Sequence, residues 1–358
     1  MRRFSTDTWA SDLTDRRMPA EWATHAATWI AWPHHEPDWP GKLDAVRWDY
    51  AESVRVLHAF EPVEILCHDD ATREAALDHL QAHHVSPNRY RLHLVPTDRV
   101  WLRDSGPTAV VRAGGSLEWI HWGFNAWAKY DNYALDAKVG EEIARLSRIP
   151  RVTAERADDA GPLVLEGGGL DVDGDGTVMV TEEWLLSDVQ VRNPGMSRED
   201  YEKAFATYLG ADKTIWLGAG CAGDDTHGHV DDVARFAPDD TVLLAYEADP
   251  NDENHHRSAD NLRRLELTTA KRRLNIVKLP FPRPVLMRGE RLPASYANFY
   301  VCNSAVLVPT FNDPADRAAL TMIAAAYPNR QVVGINSVNL VWGLGALHCM
   351  TQQQPRSV

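Results

Sequence analysis

Short runs rich in Val, Ile, Leu and aromatic residues recur along the chain, and their order relative to helix-like segments constrains the fold more than any other feature. Two or three such runs come first, then a segment with helical periodicity, then another run, and this order repeats about five times. Because strands and helices do not alternate one by one, a doubly wound parallel sheet is disfavoured. The sequence predicts a single α/β domain over 1–358, built from repeated units.

The predicted strands end at Gly, Pro, Asn or Asp, residues that are typical of turns. They cover 63–67, 90–96, 108–113, 117–124, 161–174, 177–186, 214–218, 230–236, 241–247, 275–282, 299–311 and 331–338. The predicted helices cover 45–60, 71–83, 134–147, 198–209, 258–273 and 314–327. No dinucleotide-binding or phosphate-binding glycine motif opens any of these helices, so nothing indicates a nucleotide cofactor.

The charge balance limits the partners of this protein. With 37 basic and 51 acidic side chains, its net charge of −14 argues against nucleic acid or an anionic membrane as the main partner and favours a small cationic ligand. The sequence has neither an apolar run long enough to span a membrane nor the apolar stretch of a secretory signal. We expect a soluble, cytoplasmic protein, and the oligomeric state stays open, a homodimer included.

The cysteines point to one candidate nucleophile. They are too few and too scattered for a disulfide framework, and no two form the C-x-x-C pair of a thiolate zinc site: Cys67, Cys221, Cys302 and Cys349. Cys67 and Cys302 lie in apolar strand runs and are interpreted as core residues. Cys349 follows the glycine-rich segment 343–345 and is preceded by His348, which makes it the candidate nucleophile.

The densest group of titratable residues is the segment GDDTHGHVDD at 223–232. It runs into a predicted strand, where alternate residues share a face, so His227, His229 and Asp231 are expected to point the same way. His229 would then place a proton-transferring imidazole beside the carboxylate of Asp231. The simpler alternative is a polar turn before a strand.

The same segment could alternatively be interpreted as a metal-binding motif. Its H-x-H-x-D spacing is similar to the opening of the metallo-β-lactamase motif, but Asp232 stands where that motif has its final His. Only three histidines follow to complete a site: His255, His256 and His348. We therefore expect no metal here.

Residues 165–182 carry two further signals. Asp171, Asp173, Asp175 and Glu182 satisfy a calcium-loop pattern, but strands rather than helices are predicted on both sides, so 173–176 is expected to be a hairpin turn. Glu166 precedes three glycines, where backbone or ligand can approach closely, and is a candidate site residue.

The segment WLRDSGP at 101–107 suits a cation. The ring face of Trp101 attracts positive charge, and the carboxylate of Asp104 would pair with it. An ordinary ion pair between Arg103 and Asp104 is the alternative.

These candidates are consistent with one reaction. Two carboxylates would bind a planar guanidinium through paired hydrogen bonds, and a cysteine thiolate would attack its central carbon. A histidine would protonate the departing ammonia and then activate water. The substrate supplies its own electrophilic cation, so no metal or organic cofactor is expected.

Several segments closely resemble the agmatine deiminase and bacterial peptidyl-arginine deiminase family of the guanidine-modifying (pentein) superfamily. They are WLRDSGPTAVV (101–111), FNAWAKYDNYALD (124–136), LVLEGGGLDVDGDG (163–176), THGHVDD (226–232), SYANFYVCNSAVLVPTF (295–311) and LHCMTQQQP (347–355). The matches extend from Met18 to Pro355. The resemblance implies an α/β propeller with five-fold pseudosymmetry, built of ββαβ-type units around a central active site.

The resemblance also implies residue roles. Cys349 would be the nucleophile and His229 the general acid and base. Asp104 and Asp231 would hold the guanidinium, and Glu166 would orient His229. The ring of Trp101 would line the substrate channel.

Two departures from the family pattern lie where the far end of the substrate is expected. Agmatine deiminases commonly read D-E-T-D-G-H-V-D, and here Asp225 and His227 replace two of those acids. Both residues are predicted to contact the substrate tail. The resemblance favours conversion of agmatine to N-carbamoylputrescine and ammonia, a step of polyamine biosynthesis, through a cysteine thiouronium intermediate. Another guanidine, such as an arginine derivative or a peptide with C-terminal arginine, and amidino transfer to an amine remain alternatives.

Overall fold

The computed structural model describes residues 15–269 and 273–357. Its helices are α1 (Leu43–Leu57), α2 (Asp70–Ala82), α3 (Leu102–Ser105), α4 (Val139–Ser147), α5 (Glu182–Leu186), α6 (Arg198–Leu209), α7 (Glu253–Thr269), α8 (Asp316–Ala326) and α9 (Leu347–Met350). Within these ranges, no helix combines the length and the apolar character needed to cross a bilayer.

The strands are short and are distributed over the whole described chain. They are β1 (Arg16–Arg17), β2 (His25–Ala31), β3 (Val63–Cys67), β4 (Tyr90–Leu94), β5 (Thr108–Arg112), β6 (Leu117–His121), β7 (Arg151–Thr153), β8 (Asp171–Val172), β9 (Thr177–Thr181), β10 (Lys213–Leu217), β11 (Ala234–Ala237), β12 (Thr241–Ala245), β13 (Asn275–Leu279), β14 (Leu286–Met287), β15 (Glu290–Arg291), β16 (Tyr300–Val301), β17 (Ala305–Thr310), β18 (Gln331–Asn336) and β19 (Thr351–Pro355).

One order of strand pairing recurs in five sheets of the described chain. In the first, β5 and β6 are antiparallel, and β7 returns after α4 to lie parallel to β6. The sets β8, β9 and β10, then β11, β12 and β13, and then β16, β17 and β18 repeat this pattern. In the fifth sheet β19 pairs antiparallel with β2, and β3 and β4 follow in parallel. The last strand of the described chain, β19, therefore shares a sheet with β2, whereas β1 pairs with β5 at the edge of the first sheet.

The core in which these sheets are packed is mainly apolar, as the apolar runs in the sequence predict. Strands β3, β9 and β12 are buried along their whole length, as expected for strands covered on both faces. In α1 the side chains at helical spacing, Val46, Tyr50, Val54 and Leu57, are all buried against this interior. Most polar side chains that are buried in this interior have hydrogen-bond partners, and those without one deserve notice.

Four predicted strands are wrong in part. The predicted strand 299–311 forms two antiparallel strands, β16 and β17, rather than one. Most of 161–174 is irregular, with a 3-10 turn at Gly167–Gly169 and only Asp171–Val172 in a strand. The predicted strand 177–186 ends at Thr181, whose side chain accepts the Trp184 N–H and so begins α5. In 230–236 a 3-10 turn, Val230–Asp232, precedes β11. The predicted hairpin turn at 173–176 is confirmed, because it joins the antiparallel strands β8 and β9.

Candidate active site

Five buried polar residues lie at equivalent places in the five sheets, just before the first strand of each. Asp104 precedes β5, Glu166 precedes β8, Asp231 precedes β11, Asn298 precedes β16 and Cys349 precedes β19. A repeated unit thus places one chemically active side chain at the same end of each sheet.

A cavity of about 330 Å³ opens at this cluster. Cys349 and Asp104 lie on its wall together with Trp101, Trp127 and Asp225. Each of the first two residues is less than a tenth exposed, so the reacting groups lie at the inner end of the cavity. This arrangement requires a substrate that can reach inward from the surface.

The glycine-rich segment before Cys349 packs flat against two tryptophan rings. A Cβ added to Gly343 would lie 2.6 Å from the Trp39 ring, and one added to Gly345 would lie 2.7 Å from the Trp101 ring. Both distances are shorter than van der Waals contact, so only glycine fits at these positions without displacing the segment. The segment leads directly into α9, which carries the Cys349 thiol.

The carboxylates of Asp104 and Asp231 converge on one small space. A Cβ added to Gly168 would lie 2.8 Å from Asp104 Oδ1, 3.1 Å from Asp231 Oδ2 and 2.7 Å from His229 Nδ1. The Gly168 N–H and the Trp127 indole N–H donate to the two oxygens of Asp104, at 3.0 and 2.9 Å. These bonds fix the carboxylate in place.

His229 lies between two of the carboxylates. Its Nε2 is 3.4 Å from Glu166 Oε2, and its Nδ1 is 3.7 Å from Asp104 Oδ1. Glu166 is held in turn by Arg192, whose Nε donates at 3.0 Å, and by Trp184, whose indole N–H donates at 2.6 Å. Burial lowers the pKa of His229, but Asp104 and Glu166 outweigh it and raise that pKa to about 9. The buried imidazole is therefore protonated at neutral pH.

The Cys349 thiol is placed by Asp231 and Asn298. Its Sγ lies 3.6 Å from Asp231 Oδ2, and the Asn298 side-chain N–H donates to Sγ at 3.1 Å. Burial, with Asp231, Asp232 and Asp104 nearby, raises the pKa of this thiol well above its usual value. A cation bound between the carboxylates would favour the thiolate.

The outer part of the cavity contains a different set of charges. Lys129 Nζ pairs with Asp225 Oδ1, and the Tyr130 hydroxyl donates to Asp225 Oδ2 at 2.7 Å. Both oxygens of Asp225 thus have partners. Arg99 and Arg288 also lie on the cavity wall.

The predicted strand through His227, His229 and Asp231 is wrong. The carboxylate of Asp224 accepts the backbone N–H groups of Gly228 and His229, at 2.7 and 3.1 Å, and closes a loop instead. His227 has φ +64°. Its Nε2 contacts Ser187 Oγ at 2.9 Å, and His227 does not line the described cavity. His229 and Asp231 still meet in the site, through the loop and the turn.

The described residues contain no ligand cluster that would support either metal hypothesis. Within 15–269 and 273–357, no group of three or more His, Cys, Asp or Glu side chains could hold a metal ion. In the calcium-loop pattern, Asp171 instead accepts a hydrogen bond from Arg235 Nε at 3.0 Å, and Asp173 accepts the backbone N–H groups of the turn.

Several residues of the site were absent from the sequence-based prediction. Asn298 could have been found, because it precedes the first strand of the fourth unit as the predicted residues precede theirs. Trp127, Arg192 and Lys129 have no local sequence signal, since their partners lie far away along the chain.

Comparison with known proteins gives consistent matches over nearly the whole chain. Residues 17–355 match the model of the Porphyromonas-type peptidyl-arginine deiminase family. The chain is 36% identical to the agmatine deiminase of Pseudomonas syringae pv. syringae, over 94% of this chain and 95% of that protein. It is 34% identical to the agmatine deiminase of Pseudomonas fluorescens over the same shares. Its structure matches an agmatine deiminase of Enterococcus faecalis with a TM-score of 0.88 and 30% identity, over all of both chains. The α/β fold is therefore the one that these proteins share.

Proposed function

Because this chain belongs to the Porphyromonas-type peptidyl-arginine deiminase family, we propose that it is a cysteine deiminase, which hydrolyses a guanidine group to a ureido group and ammonia. The convergence of Cys349 with the carboxylates of Asp104 and Asp231, next to a cavity whose wall includes Cys349 and Asp104, carries this proposal. Two carboxylates suit a planar guanidinium, and the adjacent sulfur suits attack on its central carbon.

Binding of the substrate prepares the nucleophile. The guanidinium donates N–H groups to Asp104 and Asp231, and its positive charge then lies beside Cys349 Sγ. The free thiol is disfavoured as a thiolate by burial and by the same carboxylates. The substrate cation offsets that negative charge, so the Cys349 thiol releases its proton to solvent and the thiolate forms mainly when a substrate is present. The Asn298 N–H donates to the sulfur throughout.

The first half of the reaction forms the covalent intermediate. The thiolate sulfur bonds to the guanidinium carbon, and His229 gives its proton to one terminal nitrogen. The bond from carbon to that nitrogen breaks, ammonia leaves, and a thiouronium cation remains on Cys349. Glu166, held by Arg192 and Trp184, keeps the imidazole in place.

The second half regenerates the enzyme. Neutral His229 accepts a proton from water, and the hydroxide bonds to the thiouronium carbon. The carbon–sulfur bond then breaks, and the hydroxyl proton passes to the departing sulfur. This restores the Cys349 thiol and leaves the neutral ureido product. No step needs a metal or an organic cofactor, because the substrate brings the cation.

We propose agmatine as the substrate, which gives N-carbamoylputrescine, a precursor of putrescine. The support is the activity of the relatives, which are agmatine deiminases at 34–36% identity over nearly the whole chain. One observation favours a second candidate, a guanidine with a neutral or anionic tail. Asp225 is already paired with Lys129, and Arg288 lies at the cavity wall, where an ammonium would meet positive charge.

We also propose that residues 1–358 form one domain, in which the five sheets surround the cavity as a five-fold pseudosymmetric propeller of ββαβ units. The support is the repeated strand pairing and the equivalent positions of the five buried site residues. An experimental electron-density map that separates the sheets into two bodies would contradict this arrangement.

The decisive experiment measures ammonia and ureido product from agmatine, arginine, a peptide with C-terminal arginine and a guanidino acid. We expect Cys349→Ser to lose at least about 10³-fold in turnover, because the nucleophile is removed. Cys67→Ser, the matched control in a buried strand, should retain activity. Mass spectrometry of acid-quenched enzyme should detect the adduct on Cys349. Normal turnover by Cys349→Ser would overturn the proposed mechanism.

A further inference from the structure

A chain of buried charged side chains lies behind Asp231, and no step described above uses it. The His348 ring contacts Asp231 Oδ2 through Nδ1 at 2.7 Å and Glu21 Oε2 through Nε2 at 2.9 Å. The Arg235 guanidinium pairs with the same Glu21 oxygen. All four residues are less than a tenth exposed. The chain joins the N-terminal segment, β11 and α9 directly beneath the reacting groups.

The two carboxylates that contact the His348 ring are both ionised. Burial raises the pKa of Glu21, but Arg235 and His348 outweigh it and hold that pKa well below its usual value. The pKa of Asp231 is also lowered, because His348, His229 and Arg235 outweigh its burial. Each of these carboxylates lies within hydrogen-bond distance of one nitrogen of the ring, so the ring is held from both sides.

The two oxygens of Asp231 differ because of this ring. Oδ2 is bound to His348 and lies near Cys349 Sγ. Oδ1 is buried and has no hydrogen-bond partner in the protein. A buried carboxylate oxygen without a partner is costly unless a ligand supplies a donor. If the carboxylate rotated, the two oxygens would change places, and Oδ1 would contact His348 instead of being free to accept a hydrogen bond.

We propose that His348 and Glu21 are positioning residues, which fix the rotation of the Asp231 carboxylate so that Oδ2 stays beside Cys349 and Asp104 and Oδ1 is left free to accept from the guanidinium of the substrate. This inference rests on the proposed deiminase function. His348 acts directly on Asp231, and Glu21 acts through His348 by holding the far side of the ring. Neither side chain needs to contact the substrate.

Glu21 also has structural contacts, which the test must separate from positioning. Its Oε1 accepts the Val301 N–H at 2.7 Å, and its carbonyl oxygen contacts His25 Nε2 at 2.8 Å. Glu61 is a matched control, because it is a fully buried glutamate that contacts a buried histidine, His25, at 3.2 Å. Glu61 has no recorded bond to Asp231 or Cys349 within the described chain.

The experiment compares Glu21→Gln, His348→Asn, His348→Leu and Glu61→Gln in the full chain. For each, kcat and KM for agmatine are measured, and so is the rate at which iodoacetamide alkylates Cys349. We expect Glu21→Gln to lose about 10- to 100-fold in kcat/KM, mainly through a higher KM, by analogy with partners that orient metal ligands. His348→Asn can keep one N–H toward Asp231, so it should lose less than His348→Leu. Alkylation by the neutral reagent should change by less than about threefold, because the Asp231 charge beside the thiol is retained in these variants and the reagent has no guanidinium for Asp231 to bind.

The outcomes separate the two proposals. Variants that retain kcat/KM within about threefold of the parent would overturn the positioning inference. Alkylation rates that fall in parallel with kcat/KM would also overturn it, and so would an equal loss of kcat/KM in Glu61→Gln. Each of these results would indicate that the substitution disorders the fold in general. If the unsubstituted protein releases ammonia from no guanidine of the panel, the proposed function fails, and the inference that rests on it fails with it.

Discussion

The ionisation of single side chains sets the pH range in which the site can act. Burial, reinforced by Asp231 and Glu166, raises the pKa of Asp104 to about 6 despite the opposing effect of His229. Because guanidinium binding needs ionised Asp104, kcat/KM should fall as pH decreases through about 6. The pKa of His229 is about 9, so the general acid is lost as pH rises through that value. We therefore expect a bell-shaped profile between these limits.

Substitution of His229 tests the alkaline limb. His229→Asn removes the proton donor, so the rate of ammonia release should fall by about 10²- to 10⁴-fold, and the residual activity should show no decline near pH 9. A rate profile across pH 5 to about 10 checks both features. A variant that retains both the rate and the alkaline decline would show that another group is the acid.

Substitution of Lys129 tests whether its ion pair with Asp225 limits recognition of the substrate tail. Its ammonium pairs with Asp225 at the cavity wall, and the lysine side chain is 41% exposed, so solvent screens the pair. Lys129→Met frees the carboxylate to meet the ammonium of agmatine. We expect kcat/KM for agmatine to rise about two- to fivefold relative to a guanidine without an ammonium, within the range of exposed ion pairs.

His227→Asp is the matched control for this substitution. The sequence predicted that His227 contacts the substrate tail. In the structure its ring contacts Ser187, and His227 does not line the described cavity. We therefore expect no change in the ratio of the two substrates. A change in the His227 variant together with none in the Lys129 variant would reverse this assignment.

Among the elements, the segment 343–345 governs the position of the nucleophile. Gly345→Ala places a Cβ 2.7 Å from the Trp101 ring, so the segment must move and carry α9 with it. A shift of about 1 Å at the reacting atom can reduce the rate about 100-fold. We expect kcat for agmatine to fall by more than about tenfold while the protein remains folded by circular dichroism.

Gly114→Ala is a suitable control for the glycine substitution. Gly114 has φ +95° in the turn between β5 and β6, and no atom lies within 4 Å of an added Cβ. The substitution should therefore cost about 1 kcal/mol or more of stability through backbone strain and leave kcat unchanged. Equal effects of both substitutions on kcat would argue against a specific role for 343–345.

For the whole molecule, β19 joins the C-terminal segment to β2, a strand near the start of the described chain, and completes the fifth sheet. A chain that ends at Met350 leaves the buried edge of β2 unpaired and removes the Gln353 oxygen that accepts from Arg103 Nη1 at 2.6 Å. We expect this truncation to abolish cooperative thermal unfolding. A chain that ends at Arg356 keeps β19 and should unfold as the parent does. A cooperative transition in the shorter chain would contradict this role of β19.

The sequence by itself determined the α/β class and the repeated order of strands, and it singled out most of the polar residues that the structure brings together. Local composition was sufficient for this, because strands, turns and glycine-rich segments follow from periodicity and backbone freedom. The strand Val63–Cys67 and the helix Arg198–Leu209 were predicted to the residue. Cys349, Glu166 and Asp104 each lie at an unusual polar segment between apolar runs.

Only the tertiary structure decided which of these groups meet. Hydrogen bonds to the Asp224 carboxylate close a loop at 223–229, and they outweigh the β propensity of this segment. His227 therefore contacts Ser187 and does not line the cavity. His348 and Glu21 are separated by 327 positions, yet they share a hydrogen bond. Such contacts depend on how the five sheets pack, and no local pattern encodes them. The same packing excludes water from the carboxylates and so sets the pKa values on which the chemistry depends.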